Sequence, residues 1–169
     1  DKGAYKETDT RDGKGFYAQS KAMGEVINRK DLTIRTSIIG PEIKDRATGL
    51  FHWFMSSRGT VNGFADAFWN GVTTLELARS VEILMEQGAS GLYHLVSPEK
   101  ISKYDLLVLI RDVFCKKDVK IAKDEVFRSD KTLSSTRTDV VLKTPAHKQQ
   151  LSALKDWMLA RKSLYSRYF

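Results

Sequence analysis

The sequence predicts an α/β fold in which helices alternate with the strands of a parallel sheet. A helical segment from about Phe16 to Arg29 leads directly into Leu32–Gly40, an alternating β-branched segment typical of a buried strand. Gly40 and Pro41 end this strand. Downstream, two helices begin with capping boxes, and a short strand segment lies between them. A helix followed by a strand is half of a βαβ unit, whose strands run parallel.

The other elements follow from apolar spacing and turn residues. Residues 1–15 are rich in Gly, Asp, Lys and Thr and predict an exposed loop. The remaining segments are a helix at 50–57, a strand with its loop at 59–74, and short strands at 91–97 and 119–127.

Three helices complete the order. Thr73 and Glu76 form a capping box that opens a helix over 74–87, and Gly88 ends it. Ser102 and Asp105 open the next helix, which runs through Phe114. The first of these helices is expected to bury, to varying degrees, Leu75, Ala78, Val81, Ile83, Leu84 and Met85. The final helix has apolar residues at helical spacing, and we interpret its aromatic residues as core: Leu151, Leu154, Trp157, Met158 and Tyr165.

Composition restricts the class of protein. The 169 residues are 41% hydrophobic and 29% charged, which is typical of a globular domain. No apolar run approaches the ~20 residues that span a bilayer, so we predict no membrane association. Cys115 is the single cysteine, which excludes an intramolecular disulfide and a cysteine-based zinc site and favours a reducing cytoplasm. The three histidines lack metal-ligand spacing, and we predict no metal.

The net charge of +7 favours an anionic partner. The 28 Lys and Arg residues are scattered, however, with no run longer than two. A solvated basic surface is therefore the simpler interpretation. A basic nucleic-acid-binding module is the alternative, but no nucleic-acid motif supports it, and we predict no nucleic-acid partner.

The segment GFYAQSKAMGE places Tyr17 and Lys21 four residues apart on the first helix. Residues at this spacing share one helix face. A phenol titrates near ~10 and exchanges protons poorly at neutral pH. A nearby ammonium favours the phenolate, so such a pair can exchange a proton with a carbonyl or alcohol oxygen. The same spacing also arises by chance in many helices.

The context resembles a known family. YAQSKAMGE followed by LTIRTSIIGPE is similar to the extended short-chain dehydrogenase/reductase family, in which this helix leads into a strand ending in R-x-x-x-x-G-P. The upstream GAYKETD resembles that family's G-x-Y-x-E-x-D loop. Two later stretches, VNGFADAFWNGVTTLELA and KTLSSTRTD, are most similar to sugar-nucleotide reductases of the dTDP-4-dehydrorhamnose reductase type. The resemblance runs from Gly3 to about Asp139.

The resemblance implies roles for particular residues. Tyr17 would be the general acid for a keto-sugar, and Lys21 would assist it and bind the ribose of NAD(P)H. Ser37 would lie beside the nicotinamide. A sugar pocket would include Trp69, Asn70 and Thr73, although Trp69 is equally well interpreted as a core aromatic. The diphosphate of the nucleotide sugar would contact basic side chains that are otherwise expected on a solvated surface: Arg128, Lys131 and Arg137.

The family's Gly-rich cofactor turn does not occur in these residues, nor does the strand that carries its catalytic Ser or Thr. We therefore interpret the chain as the C-terminal part of a Rossmann-type doubly wound parallel sheet with a small mixed α/β substrate-binding region. Residues 1–48 would belong to the dinucleotide-binding domain. Residues 49–169 would form the substrate region, with C-terminal helices returning to the core.

The implied function is NAD(P)H-dependent reduction of a nucleotide-linked 4-keto-deoxysugar. Two alternatives stay open: a non-catalytic, reductase-like binding or regulatory subunit, and an epimerase or dehydratase of the same family. Retention of both Tyr17 and Lys21 favours an enzyme. A cytoplasmic homodimer would suit the family.

We expect the 169-residue chain by itself to bind NADH and NADPH weakly and to have little or no reductase activity. No Gly-rich turn in it can place a helix N-terminus against the cofactor diphosphate. Titration with each cofactor, followed by nicotinamide fluorescence, should give no saturable signal. Tight, saturable binding would contradict this expectation.

Overall fold

The computed structural model describes residues 2–169, and it confirms the predicted α/β class. The helices are α1 (Phe16–Met23), α2 (Leu50–Ser56), α3 (Thr74–Glu86), α4 (Lys103–Phe114) and α5 (His147–Leu159), with a 3-10 turn at Ser166–Tyr168. The strands are β1 (Leu32–Arg35), β2 (Ile38–Ile39), β3 (Gly59–Trp69), β4 (Val72–Thr73), β5 (Gly91–His94), β6 (Ile101–Ser102) and β7 (Val119–Asp130).

The strands form three small sheets in which parallel pairing predominates. β1 pairs with β5, and β2 pairs with β4, both in parallel. β3 lies between β6 and β7, antiparallel to the first and parallel to the second. A register shift between Phe64 and Asp66 interrupts the β3–β7 pairing. Because β4 and β5 pair with strands from the first 48 residues, the predicted substrate region shares strand pairs with the predicted dinucleotide-binding part. The division at residue 48 stays a prediction.

The predicted strand from Leu32 to Gly40 is wrong as a single element, because the chain changes partner within it. β1 ends at Arg35, whose carbonyl oxygen accepts the Leu95 amide at 3.0 Å beyond β5. The chain then turns, and the carbonyl oxygen of Ser37 accepts the Val72 amide at 2.9 Å, which begins the pairing of β2 with β4. Ser37 therefore lies at a junction between two sheets.

The predicted first helix is too long, since α1 ends at Met23 rather than near Arg29. Gly24 caps it, and its amide donates to the Ser20 carbonyl oxygen at 3.2 Å. Glu25 then points toward β1 instead of continuing the helix face, because its carboxylate pairs with Arg35.

Two hydrophobic clusters form the core. The larger joins α2, α4 and α5 with β2, β3 and β7, and its fully buried side chains include Phe51, Phe54, Ile110, Leu154 and Met158. The smaller lies between β4, β5 and α3 and consists of Val72, Leu84, Tyr93 and Leu95. α1 contributes to neither cluster, since none of its residues is buried.

The apolar face predicted for α3 is partly wrong. Leu84 is fully buried, but Ala78 and Ile83 are exposed, and Met85 is 70% exposed. The buried positions are Glu76, Ser80 and Leu84, which are spaced by four residues. The Ser80 hydroxyl donates to the Glu76 carboxylate at 3.3 Å. Burial raises the pKa of Glu76, and this hydrogen bond opposes the rise.

Both predicted helix starts are confirmed. The Thr73 hydroxyl accepts the Glu76 amide at 3.2 Å, and the Ser102 hydroxyl accepts the Asp105 amide at 3.0 Å. Gly88 follows α3 with a positive φ of 64°, as a helix-ending glycine requires.

The last helix is shorter than its apolar spacing predicts. α5 buries Leu151, Leu154 and Met158, as expected, but it ends at Leu159, before Tyr165. Trp157 is 38% exposed, and the Arg161 guanidinium lies 3.4 Å from the centre of its ring. Its interpretation as a core aromatic is therefore wrong, whereas Tyr165 packs against the larger cluster.

We expect Gly71→Ala to lower the free energy of unfolding by about 1–3 kcal/mol or more, as overpacking does. A Cβ at Gly71 would overlap the Ser37 carbonyl oxygen and lie 2.6 Å from the Trp69 ring. Gly15→Ala is the matched control, because no atom lies within 4 Å of its new Cβ. Urea denaturation of both variants measures the difference. Equal stability of the two would show that the approach of Gly71 to Ser37 is not a constraint.

Candidate active site

Tyr17 and Lys21 are adjacent on α1, and both are exposed. The Lys21 ammonium nitrogen lies 5.7 Å from the centre of the Tyr17 ring. Tyr17 is 76% exposed, so its phenol is not enclosed by hydrophobic packing. The two side chains therefore lie together on one exposed face of α1. The catalytic roles of these two residues stay a prediction.

A cavity of about 990 Å³ lies beside α1, and we call it the α1 cavity. It is bounded by α1, the loop that precedes it and the end of β1. Lys21, Arg35, Lys131 and Leu133 are among its lining residues, whereas Tyr17 is not. The cavity is large enough for an extended small molecule.

A second cavity of about 320 Å³ adjoins the first, and we call it the Trp69 cavity. Ser37, Trp69 and Asn70 line it, so the structure brings Ser37 to the neighbouring pair Trp69 and Asn70, from which it is distant in the sequence. Lys131 and Leu133 line both cavities. The predicted cofactor residue Ser37 therefore lies with the predicted substrate residues Trp69 and Asn70.

Hydrogen bonds fix the walls of the Trp69 cavity. The Trp69 indole nitrogen donates to the Ser37 hydroxyl at 2.7 Å. The Asn70 side-chain amide donates to the Leu133 carbonyl oxygen at 2.7 Å, and its oxygen accepts the Leu133 amide at 3.1 Å. The Asn70 side chain thus makes the same two hydrogen bonds with the Leu133 backbone that a neighbouring strand would make. This pairing holds the 130–137 segment at the cavity.

His147, the first residue of α5, packs on the Trp69 ring with 5.2 Å between ring centres. Burial lowers the pKa of His147, while the Gly71 backbone and Glu99 oppose the shift. A neutral imidazole therefore supports the indole. Trp69 is half-buried, so it combines the core and pocket roles that the sequence left open.

Thr73 does not line either cavity. It is buried, its hydroxyl caps α3, and its amide donates to the Gln150 side-chain oxygen at 3.0 Å. These contacts give Thr73 a structural role, because they cap α3 and join it to α5. Its substrate-binding role stays a prediction.

Only one of the three candidate phosphate-binding residues lies at these cavities. Lys131 lines both of them. Arg128 is exposed and pairs with Asp66 at 3.2 Å. Arg137 donates to the Ser90 and Leu92 carbonyl oxygens and pairs with Asp139. The Arg137 hydrogen bond lowers the pKa of Asp139 to about 2.

The sequence reasoning assigned no role to Glu7, although this residue lies in the G-x-Y-x-E-x-D loop. Its carboxylate accepts the His94 amide at 3.1 Å, the Ser135 hydroxyl at 2.8 Å, and both the amide and hydroxyl of Thr136 at 2.9 Å. Burial would raise the pKa of Glu7, but the hydrogen bonds from Thr136 and Ser135 outweigh it and lower the pKa to about 2. Glu7 thus joins three separate segments behind the cavities.

Among residues 2–169, no group of three or more His, Cys, Asp or Glu side chains could hold a metal ion. Over the same residues, every helix is too short or too polar to cross a membrane.

The model of the family described as RmlD substrate binding domain matches residues 1–166. The chain belongs to this family. The resemblance to dTDP-4-dehydrorhamnose reductases of the extended short-chain dehydrogenase/reductase family is thereby confirmed.

Solved structures show the same fold at low sequence identity. A dTDP-4-dehydrorhamnose reductase from Clostridium acetobutylicum has a TM-score of 0.73 at 20% identity and covers 94% of this chain and 61% of its own. The Bacillus anthracis dTDP-4-dehydrorhamnose reductase in complex with NADP has a TM-score of 0.63 at 16% identity, covering 83% and 52%. A dTDP-glucose 4,6-dehydratase from Streptomyces venezuelae with NAD bound has a TM-score of 0.66 at 17% identity, covering 96% and 56%.

The chain therefore spans between half and two thirds of the length of these structures. No curated protein gives a significant match to it.

Glu7 should make the stability of the chain depend on pH. Because its folded-state pKa is about 2 against a usual 4.5, its contribution is complete above about pH 4.5 and is lost as the pH falls toward 2. We expect Glu7→Gln to be less stable than the wild type at neutral pH, with the difference shrinking across this window. Denaturant unfolding at stepped pH measures it.

Glu86→Gln is the matched control, since Glu86 is exposed on α3. It should keep the wild-type pH dependence. A Glu7→Gln variant that also kept it would show that the carboxylate does not hold the three segments together.

Proposed function

We propose that the full-length protein is an NAD(P)H-dependent reductase of a nucleotide-linked 4-keto-deoxysugar. The observation that carries this proposal is the Tyr17–Lys21 pair, with an exposed phenol and an ammonium 5.7 Å from its ring. The adjoining α1 and Trp69 cavities offer room for two ligands side by side. The similar structures named for dTDP-4-dehydrorhamnose reductase support the substrate class, and the one containing NADP supports the cofactor.

In this proposal Lys21 and the α1 cavity would hold the nicotinamide and its ribose, and the cofactor would supply the hydride for the C4 carbonyl carbon. Tyr17 gives its phenolic proton to the C4 oxygen, which becomes a hydroxyl. The Lys21 ammonium stabilises the phenolate left behind and donates hydrogen bonds to ribose hydroxyls. The Ser37 hydroxyl, which accepts the Trp69 indole N–H, lines the Trp69 cavity and would lie beside the nicotinamide in this proposal.

A third cavity supports an elongated substrate. It has a volume of about 710 Å³ and is lined by Trp53, Asn62 and Phe64. Lys103 lines both this cavity and the Trp69 cavity. A sugar in the Trp69 cavity would place its diphosphate near this lysine and its base near the aromatic side chains, where charge-assisted bonds and stacking are favourable.

The residues of this chain suit the nicotinamide end of the cofactor better than its diphosphate. Lys21 and the α1 cavity fit the nicotinamide and its ribose. The Gly-rich turn that would hold the diphosphate does not occur in the 169 residues. We therefore propose turnover for the full-length protein and little for this chain alone.

An epimerase or dehydratase of the same family is the second candidate. The similarity to the dTDP-glucose 4,6-dehydratase structure, with a TM-score of 0.66, supports this second candidate. Both classes can use a tyrosine and a lysine, so the identity of the product decides between them. A reductase consumes one NAD(P)H for each 4-keto-sugar, whereas an epimerase or dehydratase returns its cofactor unchanged.

A cytoplasmic location and a homodimer belong to the same proposal. The single, unpaired Cys115 suits a reducing compartment. Sedimentation of the full-length protein would determine its oligomeric state.

We expect Tyr17→Phe in the full-length protein to lower kcat by about 1000-fold or more, because the proton donor is lost while the ring is kept. Cofactor oxidation with dTDP-4-keto-6-deoxysugar as substrate, followed at 340 nm as ~1:1 loss of NAD(P)H absorbance per product, measures it.

Tyr165→Phe is the matched control, since Tyr165 lies in the C-terminal segment and packs against the core. It should leave kcat unchanged. If the wild type bound the nucleotide sugar without turnover, and Tyr17→Phe bound it equally well, the non-catalytic binding subunit would be the correct reading.

A further inference from the structure

α1 carries the proposed catalytic pair, yet it has almost no hydrophobic attachment. None of its residues is buried, and Phe16 and Met23 are 87% and 88% exposed. No side chain caps its N-terminus. Its position relative to the sheet must therefore depend on polar contacts, and these gather at its C-terminal end.

The principal contact joins Glu25, just after α1, to Arg35, at the end of β1. The guanidinium Nε and Nη2 donate to the two carboxylate oxygens, each at 2.7 Å. The side chains are only 14% and 18% exposed. A two-point, mostly buried pair of this kind fixes both distance and orientation. Hydrogen bonding by Arg35 lowers the pKa of Glu25 despite its burial, so the carboxylate is ionised at neutral pH.

Arg11 adds a second connection at the same place. Its guanidinium lies 3.3 Å from the Glu25 carboxylate and donates to the Ala22 carbonyl oxygen at 2.6 Å. A cation at the C-terminus of a helix is also favoured by the helix dipole. The last turn of α1 is thus attached to the preceding loop and, through Glu25, to β1.

His94 on β5 provides the support for Arg35. Its Nδ1 lies 3.0 Å from the Tyr5 carbonyl oxygen and 3.1 Å from the Ser134 carbonyl oxygen. Both are acceptors, so Nδ1 must carry the hydrogen. Its Nε2 lies 3.2 Å from Arg35 Nη1, and a guanidinium can only donate, so Nε2 must accept. The ring is fully buried, so these contacts hold it in one orientation against Arg35.

These contacts form a connected series from the loop segments through His94 and Arg35 to Glu25 and α1. We propose that the Glu25–Arg35 ion pair, supported by His94, positions α1 and the two side chains it carries, Tyr17 and Lys21, so that Lys21 is held in the wall of the α1 cavity. Glu25 and Arg35 also line the α1 cavity, but in this proposal they are positioning residues that act through the helix and not on the reacting atoms. This inference rests on the proposed reductase function, and the experiment below separates the two.

The test uses Glu25→Gln and Arg35→Lys in the full-length protein. Each keeps a similar size, but the first removes the charge and the second removes the two-point geometry. We expect kcat to fall by about 10- to 100-fold, the size of effect that a small misplacement of a catalytic group produces. KM for the sugar nucleotide should change by less than about threefold, because the cavity walls at Trp69 and Asn70 do not depend on this pair.

Amide hydrogen exchange supplies a readout that does not depend on activity. Exchange in α1 should become about tenfold faster in both variants, while β5 and α4 keep wild-type rates. The double variant should resemble the single ones, because the two residues act as a unit. Glu86→Gln is the control, and it should match the wild type in every measurement.

Several results would overturn the inference: unchanged kcat, a raised KM with unchanged kcat, faster exchange throughout the chain, or effects that multiply in the double variant. If the wild type lacked reductase activity, the proposed function would fail, and hydrogen exchange alone would decide. Faster exchange confined to α1 would then still support the positioning of α1 by the Glu25–Arg35 ion pair, and unchanged exchange would overturn it. If Arg35→Lys did not fold, Glu25→Gln would decide by the same criteria.

Discussion

The candidate site depends on the polar attachment of residues 130–137, which follow the end of β7 and reach both cavities. Leu133 is held by its two hydrogen bonds with Asn70. The Tyr5 amide donates to Thr132, and the Ser134 amide donates back to Tyr5. Because Lys131 and Leu133 line the α1 and Trp69 cavities alike, the position of this segment determines the shape of both. These contacts are hydrogen bonds to backbone groups, and the same segment also donates three hydrogen bonds, from Ser135 and Thr136, to the ionised Glu7 carboxylate.

The two sides of the candidate site are held in place by different kinds of interaction. The Trp69 side is attached to a packed core, through Gly71, Val72 and the cap of α3. The α1 side has no buried residue and is attached by charged side chains. Apolar packing restrains an element along its whole buried face, whereas the two-point ion pair restrains α1 only at its C-terminal end. A helix held in this second way can be displaced without unfolding the rest of the chain.

The fold was predictable where a short pattern decides the structure. The helix starts at Thr73 and Ser102 follow from a hydroxyl and an acidic residue three positions later, which is a local interaction. The break within Leu32–Gly40 was not predictable, because it arises where the chain leaves β5 and joins β4. The exposed Met85 and the buried Glu76 likewise could not be predicted from the sequence of α3 alone. Which face of α3 is covered depends on its neighbours and not on its own pattern.

For the candidate site, the sequence by itself determined that a phenol and an ammonium lie one helical turn apart, in a context shared with a reductase family. That follows because helix geometry converts a spacing of four into proximity. Only the tertiary structure decided what surrounds them. It brought Ser37 to Trp69, buried Thr73 with its amide bonded to Gln150, placed Lys131 at two cavities, and assigned Glu7 and His94 to connections between distant segments. Hydrogen bonds between residues more than a hundred positions apart, such as those from Thr136 to Glu7, leave no periodic signal in a sequence.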